Sequence, residues 1–288
     1  MALCLGIAAA GTSWVPALAE TTVDVPLMRA AGHPTQQGFV RVTAVESGTI
    51  AIKAWNDAGD VESTSLSVVG GTTTHFNSDD LEFGNADKGI PRRIGSGFGD
   101  SYVQLTADFD FVATSYMRTN DGFLTGMGNI LVPVDGEAFG TACVYEATIF
   151  NPASNTNQVS SLRIVERGGS DTAVSIYGTD DDGVTYGPVG LTVAANGART
   201  VTSQQLENGD PDLDEMLADG TGKWRLAVAT DGMIVVMNLL ESPTGHLTNL
   251  GPVVLSAFSD GDDLETPQGC TGAPPHRLVA QPPAADVR

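Results

Sequence analysis

Apolar and polar residues alternate with a period of two along most of this chain. The segments "FVRVTAV" (39–45), "TIAIKAW" (49–55), "YVQLTADF" (102–109), "LRIVER" (162–167), "AVSIYGT" (173–179) and "WRLAVAT" (224–230) are short, rich in β-branched residues and bounded by Gly, Asp or Asn, so each predicts a strand. Helical signals are confined to "SDDLE" (78–82) and "DPDLDEML" (210–217), where acidic residues at the start suit a helix N-terminus. The expected fold class is all-β, with helices as connectors.

The pattern is written twice. "QGFVRVTAVESGTIAIKAWNDAG" (37–59) aligns with "VSSLRIVERGGSDTAVSIYGTDDDG" (159–183), which sets Arg41 against Arg163 and Gly59 against Gly183. "LSVVGGTTTHFNSDDLE" (66–82) aligns without a gap to "LTVAANGARTVTSQQLE" (191–207), and "FVATSYMRTNDGFLTGMG" (111–128) to "IVVMNLLESPTGHLTNLG" (234–251). Length changes fall in Gly- and Asp-rich connections, where an insertion disturbs no ladder. In the phrase common to 121–128 and 244–251, Gly122 or Gly245 supplies a turn and Leu124 or Leu247 a buried position. Each copy offers about seven strands over roughly 110 residues, which predicts two tandem immunoglobulin-like β-sandwich domains from an internal duplication, with a barrel as the alternative. The boundaries expected are a signal peptide at 1–19, repeat 1 at 20–134, repeat 2 at 135–252 and a Pro/Ala-rich tail at 253–288. The junction "VPVDGEAFG" (132–140) reads as a linker between halves that fold separately.

Charge narrows the partners. With 35 acidic against 14 basic residues the net charge is −21, which opposes association with nucleic acid or an anionic membrane and favours solubility outside the cell over a dedicated cation surface. The N-terminal stretch "MALCLGIAAAGTSWVPALAE" is apolar and ends in Ala17-Leu18-Ala19, the small-x-small pattern of signal peptidase sites, though it lacks a basic n-region. Export to the periplasm, cell surface or medium is the expectation, and no later apolar run is long enough to be a transmembrane segment. Cleavage would remove Cys4 and leave Cys143 and Cys270 to pair as a disulfide in an oxidising compartment.

The segments "GFVRV", "FNSDDLEFGNADKG", "RTNDGFLTGM", "FNPASNTNQVSSLRIV", "GTGKWRL" and "NLLESPTGHLTNL" resemble a paired β-module of exported and cell-surface proteins of Gram-negative bacteria. The likeness spans about residues 25 to 251, departs at "MGNILVPVDG" (127–136) and does not reach the tail. It implies location and architecture and carries over no catalytic residue.

Candidate chemistry is sparse. "GDSY" (99–102) puts Ser101 in a Gly-Asp-Ser turn, yet none of His33, His75, His246 or His276 has Asp three positions before it, as the esterases of that pattern require. No histidine pair stands at a metal-binding spacing. "GTDDDG" (178–183) suggests calcium, but an EF-hand count starting there would make Gly178 the first ligand and Val189 the twelfth, so an Asp/Gly hairpin turn is the better reading. "GTGKW" (220–224) lacks the spacing and hydroxyl of a phosphate loop. Trp224, Arg225 and Trp55 are candidates for an aromatic and cationic ligand surface, against the commoner role of strand tryptophans as core. These readings predict a non-catalytic, monomeric, exported binding or adhesion module without cofactor or metal, whose partner is a surface polymer or protein. The alternatives are an accessory segment of a secreted hydrolase and a hydrolase using Ser101.

Overall fold

The computed structural model describes residues 20–127, 130–131, 143–251 and 253–255. The expected signal peptide, the junction 132–140, Cys270 and nearly all of the tail lie outside the described residues, and with them the Cys143–Cys270 pairing. The chain runs through β1 (Thr21–Met28), β2 (Gln36–Ala44), β3 (Gly48–Asn56), β4 (Val61–Val68), β5 (Thr73–Asn77), the short helix α1 (Ser78–Phe83), β6 (Ser101–Ala107), β7 (Phe111–Thr119), β8 (Leu124–Gly126) and β9 (Ile130–Leu131). It then continues through β10 (Cys143–Phe150), β11 (Val159–Glu166), β12 (Thr172–Thr179), β13 (Thr185–Val193), β14 (Ala198–Thr202), α2 (Ser203–Asn208), β15 (Trp224–Thr230), β16 (Ile234–Glu241), β17 (Leu247–Asn249) and β18 (Val253–Leu255).

The first half forms the sheets β4-β3-β6-β1-β9 and β5-β2-β7-β8, and the second half β13-β12-β15-β10-β18 and β14-β11-β16-β17. Strand for strand the order is the same, and both halves share a register shift in their first strand, at Val25/Met28 and Ala147/Phe150. All pairs are antiparallel, as short alternating strands joined by tight turns favour. The immunoglobulin arrangement sets its first strand beside the second. Here β1 lies between β6 and β9, in the sheet that holds the third and sixth strands.

Alternation puts one face of each sheet into a core. Val23, Ile52 and Leu105 of the first sheet meet Val40, Val42 and Phe76 of the second, and Ile176, Trp224 and Val228 meet Leu162, Ile164 and Val201 in the other half. The helices stand where the chain passes from β5 or β14 to the opposite sheet. Asn77 and Asp80 form a capping box on α1, and Thr202 and Gln205 form one on α2. The helix expected at 210–217 is absent. α2 occupies the preceding segment because Thr202 offers the cap, Gly209 ends the turn and the Asp210 carboxylate accepts from Asp212 N.

The halves are in broad contact. Leu27, Met117 and Met127 pack with Met237, Leu239 and Leu247, and Tyr102, backed by Trp55, packs with Val165, Ala198 and Val235. β11 and β16 are therefore buried on both faces, one against their own core and one against the first half.

Candidate functional site

A concave feature lies beside α2. The carboxylate of Glu207 accepts at Oε1 from Ala153 N (3.0 Å) and from Trp224 Nε1 (2.6 Å), which ties the loop after β10 to the helix and to β15. A groove of about 400 Å³ opens over this junction, within the size range of small-molecule sites. Pro152, Ala153 and Gly220 form its apolar lining, and the exposed Ser154, Gln204, Asn208 and Asp219 border it together with Glu207. No hydrogen bond reaches Glu207 Oε2 among the described residues, whereas Oε1 holds both partners.

The first half builds the same junction and closes it. Glu82, the counterpart of Glu207, accepts from Ala31 N at Oε1 (2.6 Å) and from Gly97 N at Oε2 (2.9 Å), so both oxygens are engaged. The residual space there is about 10 Å³ and is lined by Met28, Leu81, Glu82 and Ser101 among others. That is the volume of a single water and admits no acyl substrate. Ser101 is buried at the start of β6, with its backbone registered against Met28 and Asn56.

The described histidines lie elsewhere. His33 Nδ1 accepts from Gln36 N, and burial, aided by Arg29, lowers its pKa. His75 stacks on Phe39 and meets the Tyr116 hydroxyl at 2.5 Å on the outer face of the first half, where burial again lowers its pKa, with Lys88 and Arg41 contributing. His246 Nε2 pairs with Asp121 Oδ2 at 2.7 Å and stacks on Phe123, the residue it replaces in the repeat. The hydroxyl of Thr119 first, then His246, hold the Asp121 carboxyl down at about 2. Among the described residues no group of three His, Cys, Asp or Glu is placed to hold a metal ion.

The Asp/Gly hairpin reading of "GTDDDG" holds. Asp180 accepts from the backbone of Asp182, Val184 and Thr221, and Asp181 from Lys223 N, so both carboxylates serve the turn. The Thr221 amide first, then Val184 and Asp182, lower the pKa of Asp180.

The three residues expected to form a ligand surface are not brought together. Trp224 is 2% exposed, meets Tyr186 edge-on at 5.3 Å and fills the core, so it presents no platform. Arg225 points out of the opposite face of β15, 3.7 Å from Glu146. Trp55 packs against Tyr102 with ring centroids 5.2 Å apart and planes tilted by 31°, at the contact between the halves. Sequence reasoning passed over Glu207, Gln204 and Asn208. Their signal was the Thr-x-x-Gln capping box in "TSQQLEN", which marks a helix start and so a polar helical surface.

A buried charge network also joins the halves. Asp24 Oδ1 accepts from Gln104 Nε2 (3.1 Å), and Oδ2 lies 2.5 Å from Arg167 Nη2. Arg167 Nε donates to the Tyr102 hydroxyl (3.0 Å). Burial pushes the Asp24 carboxyl up despite Arg167, and pushes the Tyr102 phenol up with help from Asp24. Arg163 is buried and donates to Pro26 O and to both oxygens of Asp57, at 2.7 and 3.3 Å. Asp24 Oδ2 is buried and, among the described residues, accepts no hydrogen bond of regular geometry, so the Arg167 ion pair alone compensates it, and the network as a whole serves the contact between halves. No helix among the described residues is long and apolar enough to cross a membrane. No protein-family model, curated protein or solved structure matches this chain.

Proposed function

We propose that this chain is a non-catalytic exported binding or adhesion protein built from two copies of one antiparallel β-sandwich, and that the groove beside Glu207 takes a hydroxyl-rich ligand of the saccharide kind, as on a surface polymer. One observation carries the reading. The duplicated carboxylate has both oxygens engaged at Glu82, where the cavity is closed, and among the described residues keeps Oε2 unpaired at Glu207, where a groove of about 400 Å³ opens. A carboxylate oxygen accepts from sugar hydroxyls, and the amide side chains of Gln204 and Asn208 can both donate and accept. With a net charge of −21, a neutral ligand is favoured over an anionic one. Identical strand order and matching first-strand register support the duplication. The resemblance to paired exported β-modules and the Ala17-Leu18-Ala19 pattern support export.

Ligand-observed NMR with a panel of neutral saccharides tests the site. Binding is expected, and Asn208→Ala and Gln204→Ala should each weaken it by roughly threefold to tenfold, the worth of one neutral hydrogen bond. No binding across the panel, or binding by both variants as tight as by the wild type, would remove the groove as the site.

A further inference from the structure

The contact between the halves is heterologous. The outer face of the sheet holding β3, β6 and β1 lies on the outer face of the sheet holding β14, β11 and β16, so two different faces of the repeated fold meet. Each half keeps the face that the other has used. The outer side of β5-β2-β7 in the first half and of β12-β15-β10 in the second are left over, and contacts of this head-to-tail kind extend or close into rings unless something blocks them.

The leftover faces retain marks of the contact. Val112 is 69% exposed, Leu124 58% and Ile149 47%, and their counterparts Val235, Leu247 and Leu27 are all buried between the halves. The ion pair Arg163–Asp57, at 2.7 Å, has its counterparts in Arg41 and Asp181. Both are exposed, on different halves, and neither is in an ion pair among the described residues, although Asp181 Oδ2 also accepts from Lys223 N. Asp181 sits in a hairpin that repeats the one presenting Asp57: Gly59 N donates to Asn56 O and Gly183 N to Asp180 O, each at 3.0 Å.

We propose that a second copy of this chain docks here, the outer face around Arg41 of one copy seating on the outer face around Asp181 of the next, in the manner of the contact inside each chain. The inference stands apart from the groove, which lies at the end of α2. The buried pair Asp24–Arg167 has no equivalent, since its counterparts are Glu146 and Val45 and Glu146 is already 3.7 Å from Arg225. The contact between copies is therefore weaker than the internal one and reversible, and the net charge of −21 opposes it at low salt.

Sedimentation velocity of the full chain from micromolar to near-millimolar protein, at about 0.15 M salt where long-range repulsion is screened, reads the outcome. The weight-average mass should rise with concentration. Arg41→Glu and Asp181→Arg should each weaken association roughly tenfold by setting like charges together, and the double variant should recover it. A cooperative thermal transition in each single variant, lowered slightly in Asp181→Arg by loss of the bond to Lys223 N, shows that the fold is intact. A constant monomer mass, or growth that neither reversal alters, or a double variant that stays monomeric, would overturn the proposal.

Discussion

Among the described residues, Arg167 is the single side chain from the second half that reaches a carboxylate fully buried in the first. Asp24 is taken out of water in β1, where burial raises its pKa and the Arg167 guanidinium and the Gln104 amide oppose that rise. Replacing one member of such a pair leaves a buried charge without a partner, so Arg167→Met should cost about 3–5 kcal/mol at neutral pH, measured by denaturant unfolding. The pH dependence follows from the raised Asp24 pKa. Removing Arg167 takes away the main influence that lowers the Asp24 pKa, so in the folded variant it stands further above the 3.8 of the unfolded chain than in the wild type. Stability of the variant relative to wild type therefore falls as pH rises above that value and recovers as the solution is acidified toward it. Asp24→Asn combined with Arg167→Met should recover most of the loss at neutral pH, because no charge is then buried. A deficit that is independent of pH and not recovered in the double variant would mean that Arg167 acts through packing alone.

At the level of elements, the repeated hairpin offers a matched pair of glycines. Gly59 and Gly183 close equivalent turns at φ +88° and +81°, conformations that cost an L-residue about 1–2 kcal/mol. Around Gly183 a Cβ would meet nothing, whereas at Gly59 it would overlap the Ala195 carbonyl oxygen of the other half. Gly183→Ala should thus show the conformational cost alone, and Gly59→Ala that cost plus about 1–3 kcal/mol of overpacking against backbone. Equal losses in the two variants, measured by chemical denaturation, would show that the hairpin tip is free to move off the second half. The strands themselves were legible, because period-two alternation is a local signal: β3, β12 and β15 lie where the pattern put them. The same signal carried more than was read from it. β7 alternates as "FVATSYMRT" and leaves one face to solvent, whereas its counterpart β16 is "IVVMNLLE", an apolar run interrupted by Asn238, of the kind that is buried on both sides. That difference distinguishes the half that gives up its outer sheet face. Leu124 and Leu247 were expected to be alike and are not, at 58% and 1% exposed, because burial at that position is decided by contact between the halves and not by the turn. The groove at Glu207 was illegible for a related reason. Its parts come from the loop after β10, from α2 and from the segment before β15, which only the packing of opposite sheets brings together.

For the whole molecule, the question is whether the halves are independent. Each has a core that draws on both of its sheets, which supports folding in isolation, and the sequence expectation of separate domains rests on that. The contact between them adds a second requirement. Separated, the first half would expose Leu27, Met117 and Met127, and the second half Val235, Met237 and Leu239, all now buried. Exposing each such side chain forfeits on the order of 1.5–3 kcal/mol of burial, and patches of this kind drive association. Asp24 and Arg163, by contrast, would regain water, which offsets part of the loss and keeps the separated surfaces soluble. Fragments 20–134 and 138–288 should therefore each unfold cooperatively, at a lower temperature than the full chain, and should bind one another when mixed in equal amounts, which calorimetry and sedimentation would register. Arg167→Met in the second fragment should weaken that binding more than Arg225→Met does, since Arg225 faces outward beside Glu146 and touches nothing in the first half. Two fragments that fold but ignore each other would show that the contact contributes nothing beyond the tether. Fragments that show no transition would show instead that neither sandwich closes its core without the other, and that the duplicated unit is a single cooperative fold.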